Sequence, residues 1–221
     1  MNANLRKWTA EALGTFTLVF AGTGAIVIDS WTGGTIGHAG IALTFGLVVM
    51  AMIYTFGDIS GAHLNPAVTL GFVAAGRMPF SEAPAYIVSQ LIGAFAASGC
   101  LRLLFPDSIT LGETLPAGPA MQSFGLEVIL TAILMLTILC VSIGAKEKGI
   151  TAGIAIGAVV GLEAMFAGPI CGASMNPARS LAPAIVGGHF EFIWVYPTAT
   201  IMGAILAVPL AKIILTPKST S

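Results

Sequence analysis

Apolar residues in this chain gather into six runs of about twenty, near 9–29, 38–57, 83–104, 120–144, 149–168 and 192–213. An α-helix rises about 1.5 Å per residue, so about 20 such residues cross the hydrocarbon core of a bilayer. Backbone in lipid must satisfy its own hydrogen bonds, which leaves helices as the spanning elements of an apolar chain of this pattern. The fold class is therefore an all-α membrane protein with six transmembrane helices. Composition agrees: only 9% of the 221 residues are charged, where a soluble domain carries about a quarter. The first run, Thr9 to Ile28, exceeds the roughly 7–15 residues of a secretory signal core. It is expected to be a span, with no cleaved segment.

Two further apolar pieces, 65–76 and 176–186, are too short to cross, and each begins with Asn-Pro-Ala. These are Asn65-Pro66-Ala67, approached by Ser60-Gly61-Ala62-His63, and Asn176-Pro177-Ala178, approached by Gly172-Ala173-Ser174-Met175. Asn is a strong helix N-cap, and Pro at the first helical position has no N–H to leave unpaired. Each piece reads as a half-helix that enters the membrane and stops. Such a start at membrane depth is tolerated where it lines a water-filled cavity or is buried in protein.

The tripeptides are part of a larger repeat. Glu11 has Thr15 four residues on and Glu127 has Thr131; Glu11 precedes Asn65 by 54 residues and Glu127 precedes Asn176 by 49. Three spans separate the two Glu positions, so the halves, 1–112 and 113–221, have opposite orientation. In such an inverted repeat, half-helix termini meet near the midplane. Gly153, Gly157 and Gly161, and Gly93 with Ala97, form small-residue faces that allow close helix packing.

The segment from His63 to Gly71 resembles the signature of the aquaporin, or major intrinsic protein, family. The segment from Met175 to Ser180 is similar to that family's second, Arg-bearing motif. Span count, repeat, both Glu positions and both motifs match in order across the chain. The resemblance implies an aquaporin-like right-handed bundle and a passive channel for water and small uncharged solutes that excludes ions and protons. It implies a homotetramer in a cell membrane.

The physics of the residues is compatible with that implication. A half-helix N-terminus has unpaired N–H groups and about half a positive charge, so two facing ends repel cations. Asn65 and Asn176 can cap with their carbonyl oxygens and offer their NH2 groups to a passing solute. Arg179, three residues after Asn176, lies on the same helix face; its first-half counterpart is Val68, so charge enters one mouth only. By resemblance, the remaining filter positions are Phe45, Ala164 and Ala173. Water-selective members carry His where this chain has Ala164, which implies a wider mouth suited to glycerol-like polyols or neutral metalloid hydroxides. The run from Gly168 to Met175 is similar to the metalloid-permeable branch, whereas Ser180 and Ala184 match the water-selective choice. A strictly water-selective channel is the alternative.

By the same resemblance Glu11 and Glu127 scaffold the loops leading into the half-helices, with His63 a candidate partner of Glu11. Glu163 sits about 100° around its helix from Ala164, flanking the pore, in a structural pairing or at a subunit contact. Asp58 places a negative charge near the cytoplasmic mouth. Glu163 is also the one residue that favours a second class, a proton-coupled secondary transporter.

Arg6, Lys7, Arg77, Lys146, Lys148, Lys212 and Lys218 fall on one side of a six-span topology. The positive-inside rule makes that side, with both termini, cytoplasmic. Arg102 is expected to snorkel to the interface, and Trp8, Trp194 and Tyr196 to anchor there. Net charge of −1 gives no basic patch for nucleic acid. No His/Cys/Asp/Glu grouping has metal-ligand spacing, no nucleophile is paired with a base, and no cofactor or enzymatic site is expected. Cys100, Cys140 and Cys171 lie in apolar segments at unrelated spacings, and Cys171 is expected to be a packed thiol.

Overall fold

The computed structural model describes residues 3–142 and 146–215, with backbone alone for 146–150. Eight helices account for nearly all of it: α1 (Ala3–Trp31), α2 (Gly37–Ser60), α3 (Pro66–Ala74), α4 (Ala83–Leu104), α5 (Ala120–Val141), α6 (Lys146–Cys171), α7 (Pro177–Gly187) and α8 (Val195–Leu215). A single 3-10 turn, Phe80–Glu82, leads into α4. Six of the helices are long and apolar enough to cross a membrane. The other two, α3 and α7, follow the Asn-Pro-Ala motifs. The side chains of Lys146 and Lys148, and all of Lys218, lie outside the described residues.

Helix packing repeats itself across the two halves. Helix α1 packs on α2 and α4, and α5 packs likewise on α6 and α8. The short helices cross over: α3 lies against α8 and α4, α7 against α4 and α8. Helices α2 and α6 meet each other, as do α3 and α7.

Glycine sets the closest of these approaches. A Cβ on Gly93 would run into the backbone of α1 at Ala12, and one on Gly46 would lie 2.7 Å from the carbonyl of Gly157. Without side chains there, the helix backbones of α1–α4 and α2–α6 touch directly. The outer surface is rich in exposed apolar residues such as Ile92, Leu162 and Ile213, the surface expected where lipid, not water, is the neighbour.

One side of the bundle is tied by polar contacts. Lys7 Nζ donates to Glu82 Oε2 at 3.3 Å, and Arg77 Nη1 donates to the Leu139 carbonyl at 3.0 Å and to Ser142 Oγ at 2.8 Å. Arg102 Nη1 donates to the carbonyls of Pro106 and Ser108 in the loop after α4, a guanidinium carrying several donors. Tyr196 is no interfacial anchor: it is 1% exposed, packed at the start of α8, whereas Trp194 and Trp8 are exposed.

Candidate functional site

The short helices begin where cap chemistry dictates. Asn65 Oδ1 accepts from the N–H groups of Ala67 (2.9 Å) and Val68 (3.4 Å), and Asn176 Oδ1 from those of Ala178 (3.0 Å) and Arg179 (3.4 Å). Each amide also reaches across the two-fold arrangement. Asn65 Nδ2 donates to the Met175 carbonyl at 2.7 Å, and Asn176 Nδ2 to the Leu64 carbonyl at 2.9 Å. An NH2 group has two N–H bonds, so each Asn keeps one donor after capping and latching. Both side chains border a cavity of about 160 Å³ that runs past them.

The loops leading to each Asn share a backbone pattern that composition does not reveal. Counting back from each Asn, the fourth, third and first residues are left-handed: Gly61, Ala62 and Leu64 (φ 87°, 47° and 52°), and Gly172, Ala173 and Met175 (φ 83°, 42° and 53°). Non-glycine residues at positive φ cost on the order of 1–3 kcal/mol each and persist only where the surroundings impose them.

Glu11 and Glu127 do the imposing. Glu11 Oε1 accepts from His63 N–H (2.9 Å) and Ser60 Oγ (2.7 Å), while Oε2 accepts from Leu64 N–H and Gln90 Nε2 (both 2.8 Å). Glu127 accepts from Ser174 N–H at 2.7 Å and Met175 N–H at 2.9 Å. Both carboxylates are fully buried. The corresponding residues of the two halves are matched again one layer out. His63 Nδ1 pairs with Thr69 Oγ1 at 3.1 Å, and Ser174 Oγ pairs with Ser180 Oγ at the same spacing in sequence.

His63 therefore meets Glu11 through its main chain. Its imidazole faces the other way, stacked on Phe72 with ring centroids 4.5 Å apart. Three contributors gave no sequence signal: two are polar residues in an apolar run, and the third, Thr114, lies in the loop after α4. Gln90 bridges Glu11 and Thr69, Tyr86 donates to the Ser60 carbonyl, and Thr114 donates to Ser180 Oγ.

The cavity walls are rows of apolar side chains spaced four apart on single helix faces. Phe45, Val49 and Ile53 come from α2, and Ile156, Val160 and Ala164 from α6. Val68 and Arg179 face the cavity from equivalent positions on α3 and α7. At the Arg179 end the guanidinium carbon lies 4.9 Å from the centre of the Phe45 ring, a cation–π arrangement. Arg179 Nη1 donates to the Gly112 carbonyl at 2.8 Å. Ala164 and Ala173 complete this end with methyl groups. Beyond it opens a vestibule of about 410 Å³ bordered by His38, Glu113 and Arg179.

Two sequence-selected acids stand apart from this path. Asp58 is exposed on the last turn of α2 and does not border the cavity. Glu163 also does not border it. It is 1% exposed, with no hydrogen-bond partner to either oxygen among the described residues. The row of α6 that lines the cavity includes Ala164 and Val160, and Glu163 is turned off it into the protein. Burial within the single chain removes it from any subunit surface.

The family model described as Major intrinsic protein matches residues 1–210. The chain belongs to that family. Aquaporin NIP1-3 of Oryza sativa subsp. japonica is 48% identical over 203 residues, covering 90% of this chain and 70% of its own. Nodulin-26 of Glycine max is 46% identical over 202 residues, covering 91% and 74%. Among solved structures, the aquaglyceroporin from Plasmodium falciparum superposes with a TM-score of 0.84 at 28% identity, over 96% of this chain and 97% of that one. As a family member with this fold, the chain is a multi-pass membrane channel for water and small neutral solutes.

Proposed function

We propose that the channel passes small uncharged hydroxylated solutes, glycerol-like polyols or neutral metalloid hydroxides, as well as water. Ala164 carries the reading. With a methyl group on α6 facing Phe45 and Arg179, the narrow end has one apolar wall, one strong donor and space that an imidazole would fill. Phe45, Ala164, Ala173 and Arg179 form the selectivity filter. Arg179 orients a solute oxygen and repels cations. The free amide donors of Asn65 and Asn176 then receive the solute between two half-helix N-termini, where the positive dipole ends oppose cations and protons.

Ser180 and Ala184, the residues that match water-selective relatives, support no narrower filter. Both border a separate cavity beside His189 and Tyr196 instead of the conduction path. Glu11 and Glu127 scaffold the two loops. The halves 1–112 and 113–221 act as one pore domain built by an inverted repeat. The termini are cytoplasmic, because Arg6, Lys7 and Arg77 lie on their side. The assembly is a homotetramer in a cell membrane, by family resemblance.

The test is stopped-flow light scattering on reconstituted vesicles with water, glycerol and boric acid. Glycerol and boric acid are expected to pass, and Ala164→His to reduce both by at least about tenfold while sparing water. Passage of water alone through the unmodified channel would overturn the proposal.

A further inference from the structure

The mouth at Arg179 also holds a carboxyl beside an imidazole, a contact that conduction leaves unused. Glu113 lies in the loop after α4, and its side chain is 2% exposed. Its Oε1 is 2.6 Å from Nδ1 of His189, which follows α7. The residues on either side bind α7. The Gly112 carbonyl accepts from Arg179 Nη1, and Thr114 Oγ1 donates to Ser180 Oγ at 2.7 Å. The turn is forced: Leu111 and Gly112 are both left-handed, and a Cβ on Gly112 would meet the backbone of Thr23. Glu113 is thus held in place beside the filter cation, and it borders both the vestibule and the cavity behind it.

Arg179, backed by the two half-helix N-termini deeper in the path, gives this mouth a positive field. Such a field excludes cations, but by itself it attracts anions. A fixed carboxylate at the vestibule opposes that attraction. We propose that Glu113, held by its turn beside His189, is a specificity-determining residue that keeps small inorganic anions out of the Arg179 mouth. The inference rests on Arg179 being the filter cation.

The other ionisable groups around Glu113 are Arg179 on α7, His189 and Glu191 after it, Tyr196 on α8 and His38 on α2. Burial pushes the Glu113 carboxyl above its ordinary value, with His189 and Arg179 pulling it back. Acidification neutralises Glu113 and leaves the mouth more positive.

The probe is nitrate, whose charge is constant through the carboxylate range. Its flux into vesicles holding the full chain is measured under a potassium-valinomycin clamp, beside water and glycerol flux. Glu113→Gln is expected to raise the nitrate-to-water ratio on the order of tenfold, the effect of removing one nearby charge at intermediate dielectric. Glu113→Asp should keep the wild-type ratio. In wild type the ratio should rise on acidification, and in Glu113→Gln the profile should flatten. An unchanged ratio in Glu113→Gln would overturn the proposal. So would a wild-type ratio that does not rise with acid, a measurement that stands even if the variant fails to fold. Failure of the filter reading shows separately, as glycerol-to-water selectivity that is unaltered in Arg179→Val.

Discussion

Replacing Glu127 by Gln changes one oxygen to an NH2 and nothing else in size. Its two oxygens each accept one main-chain N–H, from Ser174 and Met175. Whichever way the amide turns, an NH2 faces one of those N–H groups, and the backbone cannot turn away. The lost bond is charge-assisted, about 1.5–3 kcal/mol, and the orphaned donor adds a comparable desolvation cost, so about 3 kcal/mol is expected. Glu11→Gln meets the same conflict at His63 or Leu64 N–H. Its two side-chain donors offer partial relief, because Ser60 can rotate and Gln90 can flip to offer its unpartnered Oε1. Glu127→Gln should therefore lose about 3 kcal/mol, or roughly 6–12 °C in Tm for a chain of this size, and Glu11→Gln somewhat less. Thermal unfolding in detergent, followed by tryptophan fluorescence, measures it, and vesicle swelling measures the accompanying loss of water flux. If either variant unfolds and conducts like wild type, the carboxylates do not hold the loops.

A Cβ on Gly22 would overlap the Phe45 ring, so Gly22→Ala should displace the aromatic wall of the filter. A cost of about 1–3 kcal/mol and an altered glycerol-to-water ratio are expected, and stopped-flow swelling reads the latter; an unchanged ratio would mean Phe45 is not a wall. Asn65→Ala removes a cap and a latch together. It should cost about 1–2 kcal/mol from the cap alone, and more in thermal unfolding because the Met175 carbonyl loses its donor. The raised carboxyl of Glu113 makes its neutral form the one that folding favours. Its contribution to stability is full below the unfolded value near 4.5 and is lost as pH rises through the folded one. Glu113→Gln should remove that slope from Tm measured against pH. Cys171 is fully buried, so Cys171→Ser should leave any inhibition by mercurials unchanged in swelling assays.

Hydropathy made the spans legible to within several residues, because length and apolar content alone decide what crosses a bilayer. The half-helix starts were legible more sharply, at Pro66 and Pro177, because Asn and Pro together leave few places for a helix to begin. What escaped was set by distance or by backbone. Nothing about Ala62, Leu64, Ala173 or Met175 announces a left-handed conformation, although glycine at the same offset from both Asn residues hinted at it. His63 is a partner of Glu11 through its main-chain N–H, and residue type does not specify which of its donors makes that contact. The pairing of Glu113 with His189 joins loops on opposite sides of α5, α6 and α7, and no local pattern encodes it.

The reciprocal bonds between each Asn and the opposite loop have a consequence for biogenesis. Asn65 is synthesised 110 residues before the carbonyl it will bind. At roughly 5–20 residues per second it waits roughly 5–20 s, already within the membrane if insertion keeps pace with synthesis. During that interval the nascent first half contains a polar gap that only the unmade second half can close. Chains arrested before Met175 should therefore be recognised by membrane quality control, and the two halves, supplied as separate polypeptides, should rescue each other.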